Sequence, residues 1–159
     1  MKAQAYLALL VTVMLALGCM TSRETQRNSE LIRHYFEGWA NRGDPAVADE
    51  LIATNLVLHN PPALLHSLEE YKKSMALFHK AFSDLHYTIE DQVAQGPKIA
   101  VRWTLRATHL GEYQNHPPTG KAILVTGTST FRLAGGKIQE VWVNMDRFGL
   151  MQQLGWLSN

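Results

Sequence analysis

Apolar residues recur every three to four positions early in the chain and every second position late in it, so helices precede strands. Leu31, Tyr35 and Trp39, widened by Ile32 and Phe36, form the stripe of a first helix. Thr21-Ser22-Arg23-Glu24 offers it a capping-box start, and Asn41-Arg42-Gly43 stops it. Asp44-Pro45 supplies an N-cap followed by proline at the first helical position, which opens a short helix to about Ile52. Leu56-Val57-Leu58-His59 reads as a brief strand ended by Asn60-Pro61-Pro62. Ser67-Leu68-Glu69-Glu70 is a second capping box, and the helix behind it turns Tyr71, Met75, Phe78 and Phe82 inward.

Beyond Asp84 the period drops to two. Tyr87 to Val93 forms one strand, turned by Gln95-Gly96-Pro97-Lys98, and along the next Ile99, Val101, Trp103, Leu105, Ala107 and His109 alternate with Ala100, Arg102, Thr104, Arg106 and Thr108. A polar, proline-bearing loop from Gly111 to Gly120 leads to two last strands, Ile123 to Leu133 and Ile138 to Asp146, joined by the hairpin signal Ala134-Gly135-Gly136-Lys137. Leu150, Leu154 and Leu157 fall at helical spacing and suggest a closing helix. The order α-α-β-α-β-β-β-β predicts an α+β domain, its antiparallel sheet wrapping the helices as a cone with a pocket at the open end. A two-residue turn at Gly135-Gly136 puts Phe131, Ser129 and Gly127 on one face with Glu140, Trp142, Asn144 and Asp146. That face is expected to line the pocket, with Val141, Val143 and Met145 on the other.

The N-terminus stands apart from this domain. Met1-Lys2 gives a positive start, and Ala5 to Leu17 is apolar apart from Thr12, a run that suits a signal-peptide core and is short for a bilayer about 30 Å thick. It ends at Ala16-Leu17-Gly18-Cys19, which resembles a bacterial lipobox. The resemblance implies removal of residues 1–18 and lipidation of Cys19, with 19–27 as a tether to an envelope membrane and 28–157 as the domain. The other reading is a plain secretory signal cut near Gly18, giving a periplasmic or extracellular product.

Charge narrows the partners. The chain of 159 residues has 15 Lys+Arg against 14 Asp+Glu, spread along its length, which argues against nucleic acid and against any membrane contact beyond the lipid anchor. A single cysteine excludes a disulfide framework, and seven histidines without compact ligand spacing argue against a metal site.

Thr108-His109-Leu110-Gly111-Glu112-Tyr113, followed by Pro117-Pro118-Thr119-Gly120-Lys121, resembles the Gly-Thr-His-x-Gly…Pro-Thr-Gly-Lys signature of SnoaL-like polyketide (ester) cyclases. Gly136-Lys137-Ile138-x-Glu140-x-Trp142-x-x-x-Asp146, Gln153-Leu154-Gly155, Phe82-Ser83-Asp84-Leu85 and Val57-Leu58-His59-Asn60-Pro61 are similar to further stretches of that pattern. Ala107, Asn60, Ser83, Asn115 and His116 depart from it, which leaves the substrate open. The resemblance implies the NTF2-like cone, a homodimer, and an intramolecular aldol condensation run without metal or organic cofactor. It also implies that Asp146 is the general acid/base.

An aldol closure needs a base for a carbon-bound proton and an acid for the alkoxide formed. One carboxyl group serves both if a largely apolar pocket raises its pKa. Asp146 is the candidate, and its other reading is a capping Asp at a strand end. His109 and His59 stand at strand ends in the signature stretches; each either assists Asp146 or satisfies a backbone group at a turn. Trp142, Asn144, Phe131, Trp39, Tyr35 and Trp103 are the expected walls for a small hydrophobic or carbonyl-bearing molecule. Arg102 and Arg106 read as a solvated or dimer-facing surface. Two function classes stay open: a cofactor-free cyclase, or a non-catalytic module that holds a small ligand.

Overall fold

In a computed structural model the described residues are 23–157; the leader, Cys19 and the start of the tether lie outside them. Residues 23–34 are α-helical and run on as a π-helical stretch, Tyr35–Ala40, the two together forming α1. The wider turn, marked by Asn41 N–H donating to Phe36 O at 2.9 Å, lets Tyr35, Phe36, Trp39 and Ala40 all be buried. Helix α2 (Pro45–Leu51) starts as expected, the Asp44 carboxylate accepting from Ala46 N–H at 2.9 Å with proline at N1. Strand β1 (Ile52–Asn60) follows directly. After the prolines comes a short strand not foreseen from sequence, β2 (Ala63–Leu65), which pairs antiparallel with β1. Three residues beside two prolines carry too little periodicity to be read.

Helix α3 (Leu68–Ala81) is capped by Ser67, whose Oγ accepts from Glu70 N–H at 3.2 Å. Strands β3 (His86–Gln95), β4 (Lys98–Thr108), β5 (Ala122–Ala134) and β6 (Lys137–Met145) form an antiparallel meander, and α4 (Arg147–Leu154) closes the domain. The sheet runs β2-β1-β6-β5-β4-β3, with β1 parallel to β6 and every other neighbouring pair antiparallel. Ile99, Val101, Trp103, Leu105 and Ala107 are buried against the helices while their neighbours stay more open, as the alternation requires. With Ile32, Phe36, Leu56, Phe82, Phe131 and Ile138 they make one core.

One expectation is overturned by a single extra residue. Leu133 pairs with Ile138, but Arg132 pairs with Glu140, so Gln139 is bulged and the rest of β6 shifts by one. Because side chains alternate with period two, the slip exchanges the faces of β6. Phe131, Ser129 and Gly127 now stand opposite Val141, Val143 and Met145, while Glu140, Trp142 and Asn144 share the outer face with Arg132, Thr130 and Thr128.

Candidate functional site

Between α1, α3 and the concave face of the sheet lies a cavity of about 540 Å³. That falls within the roughly 300–1,000 Å³ usual for small-molecule sites. Its deep part is aromatic: Tyr35 and Phe36 from α1, Tyr71 from α3, Tyr87 from β3 and Trp103 from β4. Val143 and Met145, which the bulge turns inward, complete the wall on β6. The mouth carries Pro62, Ala63, Leu77, Glu112, Gln114, Asn115 and Arg147. Among the described lining residues Glu112 is the one carboxylate and Arg147 the one cation.

Two polar devices sit on the deep wall. The Tyr35 and Tyr71 hydroxyls are 2.5 Å apart, each side chain almost fully buried. Burial holds both phenols above their ordinary pKa, and for Tyr35 the neighbouring Tyr71 adds to the rise. The pair therefore stays protonated. One hydroxyl donates to the other, so one O–H remains for an oxygen placed against the pair. Trp103, cross-strand from Gly127, donates from Nε1 to Ser129 Oγ at 2.9 Å. Gly127 is what admits the indole: a Cβ there would stand 2.3 Å from Trp103 Cζ2.

The loop over the mouth is built from the signature residues. Tyr113 and His116 exchange backbone hydrogen bonds at 3.0 and 2.9 Å around Gln114 and Asn115, whose φ values are 49° and 62°. Two consecutive positive φ values make a mirror-image hairpin turn, and glutamine has little intrinsic liking for it. Trp156 stacks on His116 at 4.0 Å and on Tyr113 at 6.1 Å, clamping the turn from the C-terminus.

His109 is fully buried beneath this loop. Its Nδ1 accepts from Thr119 N–H at 3.2 Å, which puts the proton of the neutral ring on Nε2. Nε2 is buried with no partner at hydrogen-bond distance among the described residues, and desolvation holds the ring below its ordinary pKa, the Gly111 backbone opposing and His116 adding to the fall. Asp84, from the Phe-Ser-Asp-Leu stretch, accepts from Thr108 N–H at 2.7 Å and Thr108 Oγ1 at 2.6 Å; these bonds lower its pKa.

The residues singled out from sequence divide accordingly. Tyr35 and Trp103 line the cavity. Trp39 and Phe131 lie behind it, 3% and 1% exposed, packed edge-on against Tyr71 and Tyr35 respectively. Trp142 and Asn144 are on the outer face, so their expected place in the pocket wall is corrected, the cause being the bulge at Gln139. His59 is on that face too, stacked parallel on Trp142 at 5.2 Å, with Nε2 2.9 Å from Glu140 Oε1. Glu140 also accepts from Arg132 Nε at 2.9 Å, and the His59 bond is the main cause of its lowered pKa.

Asp146 is exposed and accepts from Gly149 N–H at 2.7 Å as the N-cap of α4. Its expected inward orientation is therefore corrected, and the carboxylate follows the capping reading. Neither histidine is bonded to Asp146: His109 satisfies a turn amide and His59 bonds Glu140. Arg147, Tyr71 and Trp156 were not singled out as site residues. Arg147 had a signal in the sequence, an arginine in the first turn of a helix, where the macrodipole disfavours a cation. Among the described residues no group of three or more His, Cys, Asp or Glu could hold a metal ion.

Helices under a curved, mostly antiparallel sheet, with an aromatic cavity between them, make the NTF2-like fold. Residues 29–154 match the model of the SnoaL-like polyketide cyclases, and the chain belongs to that family. IdmH from Streptomyces antibioticus is 29% identical, with a TM-score of 0.71 over 80% of this chain and 98% of its own. TsrD from Streptomyces laurentii is 26% identical, with a TM-score of 0.75 over 83% and 97%. A SnoaL-like polyketide cyclase from Agrobacterium tumefaciens strain C58 shares the fold at 18% identity, with a TM-score of 0.68 over 80% and 98%. No curated protein matches the chain.

Proposed function

We propose that this protein takes a small, largely apolar carbonyl compound into the cavity and promotes aldol-type ring closure by acid/base chemistry of its own side chains. The observation that carries this reading is the buried Tyr35–Tyr71 pair on the wall of a cavity of about 540 Å³. Taking a proton from the carbon beside a carbonyl moves the electron pair onto oxygen as an enolate. A neutral phenol donor, already oriented and away from water, binds that oxygen more strongly than the carbonyl it replaces. The enolate carbon then attacks a second carbonyl of the same molecule, and the alkoxide formed collects the proton.

Two carboxylates compete for the base. Glu112 lines the mouth, and Asp146 is the position implied by family resemblance but caps α4. Proton exchange separates them. With acetylnaphthalene in heavy water, wild-type protein should accelerate deuteration of the methyl group. Tyr35→Phe and Tyr71→Phe should slow it, and Glu112→Gln or Asp146→Asn should abolish it according to which is the base. Binding without any exchange would defeat the enzymatic reading. It would support the second one, a non-catalytic carrier, which is favoured by the lack of a carboxylate on the deep wall among the described residues. In this reading lipidated Cys19 holds the domain on the outer side of an inner membrane; release into the soluble fraction by Cys19→Ser is the expected result, and unchanged membrane association would reject the anchor.

A further inference from the structure

We infer that the molecule this cavity takes carries a carboxylate, and that Arg147 is the residue that recognises it at the mouth. The inference rests on the cavity being a small-molecule site and specifies the ligand: a carbonyl at the deep, tyrosine-lined end and an anion at the open end.

Arg147 is half-buried and lines the cavity. Its Nη2 donates to Asn60 Oδ1 at 2.6 Å and, more weakly, to Asn60 O at 3.5 Å. Both of those acceptors are uncharged. A guanidinium has five N–H donors in a fixed fork, so most of its capacity is uncommitted. Among the described residues no carboxylate lies within ion-pair distance of it; the four ion pairs present involve other side chains. The positive charge also reaches Tyr113, opposing the rise that burial causes in that phenol and so placing the guanidinium beside the loop over the mouth.

The local sequence makes this costly rather than incidental. Arg147 is the first residue of α4, immediately after the capping Asp146, where unpaired N–H groups already make the field positive. A cation that breaks a local rule without an opposite charge beside it among the described residues points to an external anion. Asn60 fixes the direction of the fork from the end of β1, so a carboxylate arriving over the mouth meets donors already oriented. Glu112, the opposing charge on the rim, is exposed and makes no ion pair among the described residues, so it can turn to solvent. The Asp146 cap also sets the start of the helix that carries Arg147.

The test compares acetylnaphthoate with its methyl ester, two probes of nearly equal shape that differ by one charge, using tryptophan fluorescence and calorimetry. Wild type should bind the acid about tenfold more tightly than the ester. Arg147→Met should remove that preference, weakening the acid about tenfold more than the ester. Arg147→Lys should keep part of it, and Glu112→Gln should enlarge it. Because Arg147→Met also frees Asn60, its melting temperature is measured alongside, and the Lys variant carries the comparison if Met unfolds. Equal binding of acid and ester by wild type would overturn the inference while leaving the cavity reading intact. An acid preference that survives in both Arg147 variants would also overturn it. Failure of either probe to bind wild type would instead count against the cavity reading and bring this inference down with it.

Discussion

Replacing Gly127 by alanine tests whether the cavity wall is set by the fit of Trp103 into β5. The added Cβ would stand 2.3 and 2.4 Å from Trp103 Cζ2 and Cη2, and 2.7 Å from Asn144 O. Ordinary carbon contacts are about 3.5–4 Å, so the outer ring of the indole must retreat by more than an ångström. Trp103 is 2% exposed and held by Ser129, so its free side is the cavity. Overpacking of this kind costs about 1–3 kcal/mol, against which alanine regains about 0.5–1 kcal/mol of chain entropy lost by glycine. The expected net loss is about 1–2 kcal/mol. Two of the three close atoms belong to a ring that phenylalanine lacks. In a Trp103→Phe background the same change should therefore cost about 1 kcal/mol less, the remainder arising from Asn144 O. Urea unfolding of the four proteins of the cycle gives the coupling directly. Affinity for acetylnaphthalene should fall in Gly127→Ala alone. An additive cycle, or a Gly127→Ala protein as stable as wild type, would refute the packing argument.

Asp146→Ala should lower stability by about 1 kcal/mol through loss of the bond to Gly149 N–H, whereas Asp146→Asn should be nearly neutral, as measured by urea unfolding. His109 and His79 are both held below the usual histidine pKa of 6.5, burial being the leading cause. The unfolded chain then gains protons that the fold refuses, so stability should fall as pH drops below about 6.5, and His109→Asn should flatten that slope; a melting temperature unchanged from pH 7 to 5 would contradict this. Asp84 acts at lower pH. Its depressed folded pKa gives stability that is complete above the ordinary carboxylate value and lost as pH falls through the folded one, so Asp84→Asn should make acid unfolding shallower. The homodimer expected from the family resemblance would bury the outer sheet face; a monomer by sedimentation would reject it.

Helix starts were legible because they depend on neighbours: Asp44 and Ser67 cap as their sequences imply. The alternation of β4 was legible for the same reason, Ile99 through Ala107 facing one way at every second position. Residue placement on β6 was not. Gln139 has no signature that marks a bulge, yet that one residue carries Trp142 and Asn144 away from the cavity and brings Val143 and Met145 to it. The signature stretches were found correctly, but in this molecule their best-defined work is architectural: Asp84 bonds Thr108, His109 bonds Thr119, and Lys121 Nζ donates to Leu154 O at 3.2 Å. The Tyr35–Tyr71 pair joins residues 36 positions apart on two helices, a meeting that periodicity within either helix cannot foretell.

In the proposed function the two phenols meet the ligand's carbonyl oxygen. Acetylnaphthalene labelled at its carbonyl carbon reports this by NMR, because hydrogen bonding to the oxygen moves that resonance downfield. The expected result is a downfield shift on binding to wild type that is lost in the Tyr35→Phe/Tyr71→Phe double variant while the probe stays bound. A bound probe with an unshifted carbonyl, or an equal shift in the double variant, would contradict this role for the phenols.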